Sequence, residues 1–165
     1  MAHREYRLRQ ALDRLAPDFD NILLDCPPSL GLLTVNALCA SHGAIIPMQC
    51  EYFALEGVSE LVATLRRVKS FLNPGIEISG VVLTMHDNRS TLAKTVESEI
   101  REFFKNRVYK TVIPRNVRLA EAPSFGKPAI LYDIKSRGAE SYLQLAKEFV
   151  NDEKARQAQG AGQGA

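Results

Sequence analysis

The stretch NILLDCPPSLG, residues 21–31, sets a carboxylate, Asp25, at the end of an apolar run and follows Cys26 with two prolines, Pro27 and Pro28. Phe19 and Ile22–Leu24 predict the lead-in and body of a buried strand. Open parallel sheets present their ligand groups beyond the carboxyl ends of strands. An aspartate there can hold a magnesium ion, usually through water, beside phosphates. The prolines fix φ and stiffen the turn, which suits a segment that must respond as a unit to a γ-phosphate. The alternative is plain: Asp25 caps a turn before the next helix. Spacing alone leaves both open.

Other reactive side chains offer less. Cys26, Cys39 and Cys50 form no C-x-x-C pair, and an odd count argues against a disulfide framework. Their apolar surroundings predict reduced core thiols in a reducing compartment. His3, His42 and His86 stand at no metal-ligand spacing, and His86 with Asp87 reads as loop. Ser29, Ser124 and Ser136 lack a G-x-S-x-G context, so a hydrolase nucleophile is unsupported.

These residues need elements to hold them. At 165 residues the chain has the size of one domain, with 45% hydrophobic and 24% charged residues. A net charge of +2 is too small to argue for nucleic acid, so any basic site must come from local clustering. No apolar run approaches bilayer-spanning length, and the N-terminus has no signal-peptide core, which predicts a cytoplasmic protein.

Helical periodicity is expected over residues 3–15, ended by Pro17. A strand follows at 20–25, then a helix through LGLLTVNALCA with Ser29 as N-cap. AIIPMQ reads as a continuous apolar strand, covered on both faces. A helix over 55–72 is stopped by NPG at 73–75. Further expectations are a strand at 78–85, a helix at 91–104 and the strand YKTVI ending at Pro114. A loop and short helix follow over 115–126, then an edge strand PAILY and a helix over 136–150. Residues 1–152 are expected to form one domain and 153–165 a disordered tail. Strands alternating with helices predict an α/β fold, a mostly parallel, doubly wound sheet with helices on both faces.

The segment FDNILLDCPPSLGLLTVNAL resembles the Walker B and switch II region of the ParA/Soj family, deviant Walker-motif ATPases that segregate bacterial chromosomes and plasmids. IIPMQCEYFALEGVSEL, GVVLTMHDNRSTLAKTV, VYKTVIPRNVRLAEAPSFGKPAILYD and SRGAESYLQLAKE resemble successive blocks of that family, in order. The Soj-like branch fits best, over about residues 3–150. The resemblance implies a P-loop NTPase-like fold whose first strand and P-loop helix are not in these residues. No KGGxGKT loop occurs here, nor the switch I aspartate that positions the attacking water. The expectation is therefore a C-terminal portion lacking the P-loop, inactive alone; the alternative is a P-loop-less protein- or DNA-binding module derived from the family.

The resemblance also implies roles. Asp25 would serve the Walker B magnesium site, through water and only with the missing P-loop. Cys26, Pro27 and Pro28 would form switch II. Pro114, Arg115 and Asn116 would lie near the adenine. Arg89 and Arg118 would line a face for non-specific DNA, reading phosphates, joined by Arg115, Lys94, Lys110 and Lys127. Gln49, Glu51 and Tyr52 would sit in a loop facing the dimer partner. The complete family member uses ATP and Mg²⁺, forms a homodimer, associates with the nucleoid and meets a ParB-type protein. The tail NDEKARQAQGAGQGA lacks the apolar face of the membrane-binding helix of related cell-division regulators, so no membrane partner is expected.

Overall fold

The computed structural model describes residues 3–27, 29, 31–52 and 54–161. They divide into two compact units: residues up to Ile46 with Leu55–Ser79, and Pro47–Ala54 with Gly80 onward. A three-stranded sheet of order β1-β2-β3 is formed by β1 (Gly43–Gln49), β2 (Glu77–His86) and β3 (Val108–Pro114). β2 and β3 run parallel, with His86 opposite Pro114. Parallel neighbours bring their carboxyl ends to one side, so the loops after β2 and β3 meet there.

In the first unit α1 (Arg7–Leu12) is shorter than expected and continues into a 3₁₀ turn, Ala16–Asp18, that contains Pro17. Tyr6 Oη donates to the carbonyl of Leu72 at 3.0 Å, and the Leu8 amide to Asn36 Oδ1 at 3.3 Å. α2 (Leu32–Ala40) starts at Gly31 without a side-chain cap. Ser29 is not its N-cap; its carbonyl instead accepts from Thr34 Oγ1 at 2.5 Å. α3 spans Ala54–Phe71. The NPG stop has a further use. Asn73 Nδ2 donates to the carbonyls of Leu38, at 2.9 Å, and Ser41, at 2.8 Å, so it satisfies groups that the end of α2 leaves open.

The expected strand at 20–25 does not form. Residues 21–27 carry no helix, strand or turn, and Phe19, Ile22 and Leu23 are exposed, Leu23 at 78%. An apolar run becomes a strand only when a neighbouring strand takes up its amides and carbonyls, and none lies beside it among the described residues. β1 also departs from expectation. Ile46 and Met48 are buried while Ile45, Pro47 and Gln49 are exposed, an alternation with one open face.

In the second unit α4 (Thr91–Phe104) is amphipathic, with Ala93, Val96, Ile100 and Phe104 buried and Ser90 accepting from the Ala93 amide as N-cap. α5 (Val117–Glu121) leads into a 3₁₀ turn, Ala122–Phe125. PAILY is not an edge strand: Ala129–Tyr132 form the one-turn helix α6, capped by Pro128. Tyr132 stacks on Phe125, ring centroids 5.0 Å apart. α7 runs from Arg137 to Ala161, well into the segment expected to be disordered. Helix-forming residues and the Arg156–Glu153 pair, 2.7 Å apart, sustain it.

α7 packs on β3, where Val82, Tyr109 and Ile113 form a buried cluster with Leu119, Leu145 and Phe149 against it. A Cβ at Gly80 would run into the Tyr109 ring, so only glycine lets the ring lie there. Burial pushes the Tyr109 hydroxyl up to about 12. Between Val81–Val108 and Leu83–Val112, β3 uses four residues where β2 uses two. The two amides in this bulge, Lys110 and Thr111, donate to the two oxygens of Glu148 on α7, at 2.6 and 2.9 Å. Partial burial pushes the Glu148 carboxyl up, but the amide bonds outweigh it and hold the group below its ordinary value.

Candidate functional site

The carboxyl ends of β2 and β3, with the residues after β1, bring several charged side chains of the second unit together. Thr84 Oγ1 donates to the carbonyl of Met48 at 3.3 Å, tying β2 to β1 near this end. β2 then bulges. Between Leu83–Val112 and His86–Pro114 it uses three residues against two of β3, and Met85 has φ 52°. A left-handed non-glycine residue at a strand end is an outlier of the kind found at functional sites. Such bulges re-aim the next side chain.

That side chain is His86, which is not a loop residue as expected but the buried last residue of β2. Its Nε2 lies 2.9 Å from Glu97 Oε2 on α4. The approach is an ionic contact without the direction of a hydrogen bond, and Nε2 has no hydrogen-bond partner. Glu97 Oε1 accepts from Arg101 Nε at 2.8 Å, and Arg101 Nη1 donates to the Tyr109 carbonyl at 3.2 Å. Cys50, buried nearby, has its thiol pushed up to about 11, by burial first and by Glu97 second.

After β2, Asp87 and Arg89 close on each other. The Arg89 amide and Nε donate to Asp87 Oδ1 at 3.0 and 3.1 Å, and Nη2 to Oδ2 at 3.1 Å. The Arg89 side-chain bonds, then its amide bond, hold the Asp87 carboxyl at about 2. The Arg89 side chain remains 90% exposed, so the pair presents a fixed cation to solvent.

After β3, the predicted adenine-side turn is held at three points. The Arg115 amide donates to the His86 carbonyl at 3.0 Å. Arg115 Nη2 donates to Glu51 Oε1 at 3.3 Å, joining the loop after β1. Asn116 caps α5, its Oδ1 accepting from the Arg118 amide at 2.9 Å. Pro114 is the last residue of β3. Arg118 pairs with Glu121 at 2.9 Å and Asp133 at 3.4 Å, which leaves its charge balanced by two carboxylates.

Of the remaining predicted residues, Lys94, Lys110, Lys127, Gln49 and Tyr52 belong to the second unit, and Asp25, Cys26 and Pro27 to the first. Asp25 is exposed and makes no hydrogen bond or ion pair among the described residues. Cys26 is exposed rather than a core thiol; its Sγ donates to the Leu24 carbonyl at 3.6 Å, and burial, then Asp25, push its pKa up. Cys39 and Cys50 are buried as expected. Pro27 is exposed, and Pro28 lies outside the described residues.

A magnesium–nucleotide site needs more than these residues supply. No group of three or more His, Cys, Asp or Glu that could hold a metal ion occurs among the described residues. Among the described residues no glycine-rich loop offers phosphates its amides. The residues present do not by themselves fit the group. No helix among the described residues is long and apolar enough to cross a membrane.

The Met85 bulge, Glu97 behind His86, and Glu51 opposite Arg115 were not read from sequence. A titratable residue at the end of an apolar run, one step before a D-x-R triplet, was the available signal.

Comparison with known proteins gives consistent results. A family described as an AAA domain matches residues 1–78. The chain is 56% identical over 148 residues to the chromosome partitioning protein ParA of Myxococcus xanthus, across 90% of this chain and 52% of that protein. It is 59% identical over 147 residues to the sporulation initiation inhibitor protein Soj of Bacillus subtilis, across 89% of this chain and 58% of that protein. Among solved structures, cobyrinic acid a,c-diamide synthase from Mycobacterium smegmatis with bound ADP and magnesium superposes with a TM-score of 0.77 at 34% identity, covering 93% of this chain and 56% of that one. The chain thus spans between 52% and 58% of the length of these relatives. The parallel sheet with its helices is P-loop NTPase-like.

Proposed function

The chain belongs to the ParA/Soj family of chromosome-partitioning ATPases, and from that premise we propose that its residues form the part of such an ATPase that follows the phosphate-binding loop. In the complete protein, ATP and Mg²⁺ bind, a homodimer forms and associates non-specifically with nucleoid DNA, and a ParB-type partner resets it by stimulating hydrolysis. Within this reading Asp25 is the Walker B carboxylate, and Cys26, Pro27 and Pro28 belong to switch II. The Pro114–Asn116 turn faces the adenine, and Arg89 and Arg118 face DNA phosphates. These 165 residues alone form a platform without turnover.

The observation that carries the reading is 59% identity to Soj over 147 residues. The local geometry agrees with it in two respects. Arg115 and Asn116 are pinned at the carboxyl end of parallel strands, where ligands of α/β sheets bind. Arg89 is oriented by Asp87 yet open to solvent, as a phosphate contact requires.

The test supplies a segment that these 165 residues do not span. The segment that precedes the matched region in a full-length relative is fused ahead of His3, and ATP turnover and circular dichroism are measured. Turnover is expected in the fusion, with none in the 165-residue chain. Asp25→Asn in the fusion should abolish turnover and leave the dichroism unchanged, because asparagine keeps the size and shape of the side chain and loses the charge. Wild-type turnover in that variant would make Asp25 a turn residue. A fusion that never hydrolyses ATP but binds DNA would favour the binding-module reading.

A further inference from the structure

Asp87 and Arg89 flank Asn88 in the loop between β2 and α4. A guanidinium has a side edge, Nε with one hydrogen of Nη2, and an end edge, Nη1 with the other Nη2 hydrogen. Asp87 occupies the side edge of Arg89: Nε donates to Oδ1 and Nη2 to Oδ2, both at 3.1 Å. Oδ1 also accepts the Arg89 amide at 3.0 Å, which clamps the side chain to its own turn. Nη1 makes no hydrogen bond among the described residues, and the side chain is 90% exposed. The end edge is therefore the one that faces solvent.

This arrangement has two opposed effects on an anion approaching Arg89. A surface arginine without a partner samples many rotamers, and a phosphate contact must freeze them. Here the carboxylate has already done so. The same carboxylate is negative, and a phosphate beyond the fork is repelled by it. The repulsion acts across the width of the guanidinium, in water, and is screened by salt. Ordering one long side chain in advance is worth about threefold or more in affinity. Positioning outweighs repulsion.

We propose that Asp87 is a positioning residue for DNA: by occupying the side edge of the Arg89 fork it presents the end edge, Nη1 and Nη2, to a backbone phosphate, so that an acidic residue strengthens the binding of a polyanion. This role rests on the proposed function, under which Arg89 meets DNA phosphates. The Arg89 side-chain bonds, then its amide bond, hold the Asp87 carboxyl at about 2, so the clamp is in its charged form at neutral pH.

Two other accounts give different results. If Asp87 acted only through its charge, removing that charge would tighten DNA binding. If it acted only as a turn residue, the identity of residue 89 would not matter to its effect. Asp87→Asn separates these cases. Asparagine keeps a carbonyl oxygen for the Arg89 amide, but its NH₂ group sets donor against donor at Nη2.

The fusion that carries the preceding segment, with ATP and Mg²⁺, is titrated onto a labelled duplex of mixed sequence at fixed ionic strength. Fluorescence anisotropy gives Kd for wild type, Asp87→Asn, Arg89→Ala and the double variant. Arg89→Ala should weaken binding, and Asp87→Asn should weaken it by about threefold or more. In the Arg89→Ala background Asp87→Asn should no longer weaken it, because only the repulsion is left to remove. Unchanged or tighter binding in Asp87→Asn alone would overturn the proposal, as would an equal loss in both backgrounds. Unchanged binding in Arg89→Ala removes the Arg89 contact and the role of Asp87 with it, while DNA binding by the fusion stands. A fusion that binds no DNA overturns the proposed function and this role together. A second readout needs no DNA. In the ¹⁵N-labelled 165-residue chain the Arg89 Nε–H signal should stand apart from those of mobile arginines and rejoin them in Asp87→Ala. A wild-type signal that already lies among them would overturn the clamp itself.

Discussion

NILLD at residues 21–25 and GVVLTMHD at 80–87 are both apolar runs that end in an aspartate, and they lie in different environments. In the second run Val81, Val82 and Leu83 are at most 5% exposed, β3 takes up the backbone, and Asp87 is bonded to Arg89. In the first, Ile22 and Leu23 face solvent, no strand pairs with them among the described residues, and Asp25 has no partner there. Apolar content does not itself make a strand. A strand exists where another strand satisfies its amides and another layer covers its side chains.

The comparison can be broken most directly by paired truncations. Leu83 is fully buried, and Leu83→Ala should cost about 3 kcal/mol by urea unfolding. Leu23→Ala should cost less than about 0.5 kcal/mol in the same chain. Equal costs would mean that the first run is buried in solution. In the fusion that restores the preceding segment, the Leu23→Ala cost should rise to about 2 kcal/mol or more.

A smaller effect probes how closely the second run is packed. Gly80→Ala places a methyl group against the Tyr109 ring and should cost about 2 kcal/mol by overpacking. A thermal melt checks it, and an unchanged midpoint would show that the ring moves aside.

The smallest effect concerns the bulge of β3. Glu148→Gln loses a charged acceptor for two amides at a partly exposed site and should cost about 1 kcal/mol near neutral pH. The folded carboxyl titrates below its ordinary 4.5, so its contribution is complete above that value and is lost as pH falls through the lower, folded one. Wild type and variant should therefore differ by a constant amount above about pH 5.5 and converge in acid. A gap that widens in acid would reverse the assigned direction.

Much of the second unit was legible because its periodicities are long and self-consistent. The spacing of Val96, Ile100 and Phe104 gave α4, and the run up to Ile113 gave β3. The family blocks located the Pro114–Asn116 turn, and the structure holds that turn by bonds between distant residues such as Glu51 and Arg115. What failed depended on partners rather than on local pattern. NILLD has strand composition without a strand beside it among the described residues. PAILY has β-favouring residues, but Pro128 starts a helical turn whose tyrosine stacks on Phe125. His86 looked like loop because a bulge, invisible as pattern, turns its side chain inward.

The carboxylate of Glu148 also bears on the outer margin of the sheet. β3 is an outer strand of the order β1-β2-β3, and a bare outer strand would be a template for further pairing. Here two of its successive amides are occupied by one side chain from α7, and the bulge breaks the even spacing that an incoming strand would have to match. At the opposite margin β1 has no strand beyond it among the described residues, and Ile45, Pro47 and Gln49 are exposed. The two amides that Glu148 occupies, and the uneven spacing of the bulge, thus protect the β3 margin against an added strand.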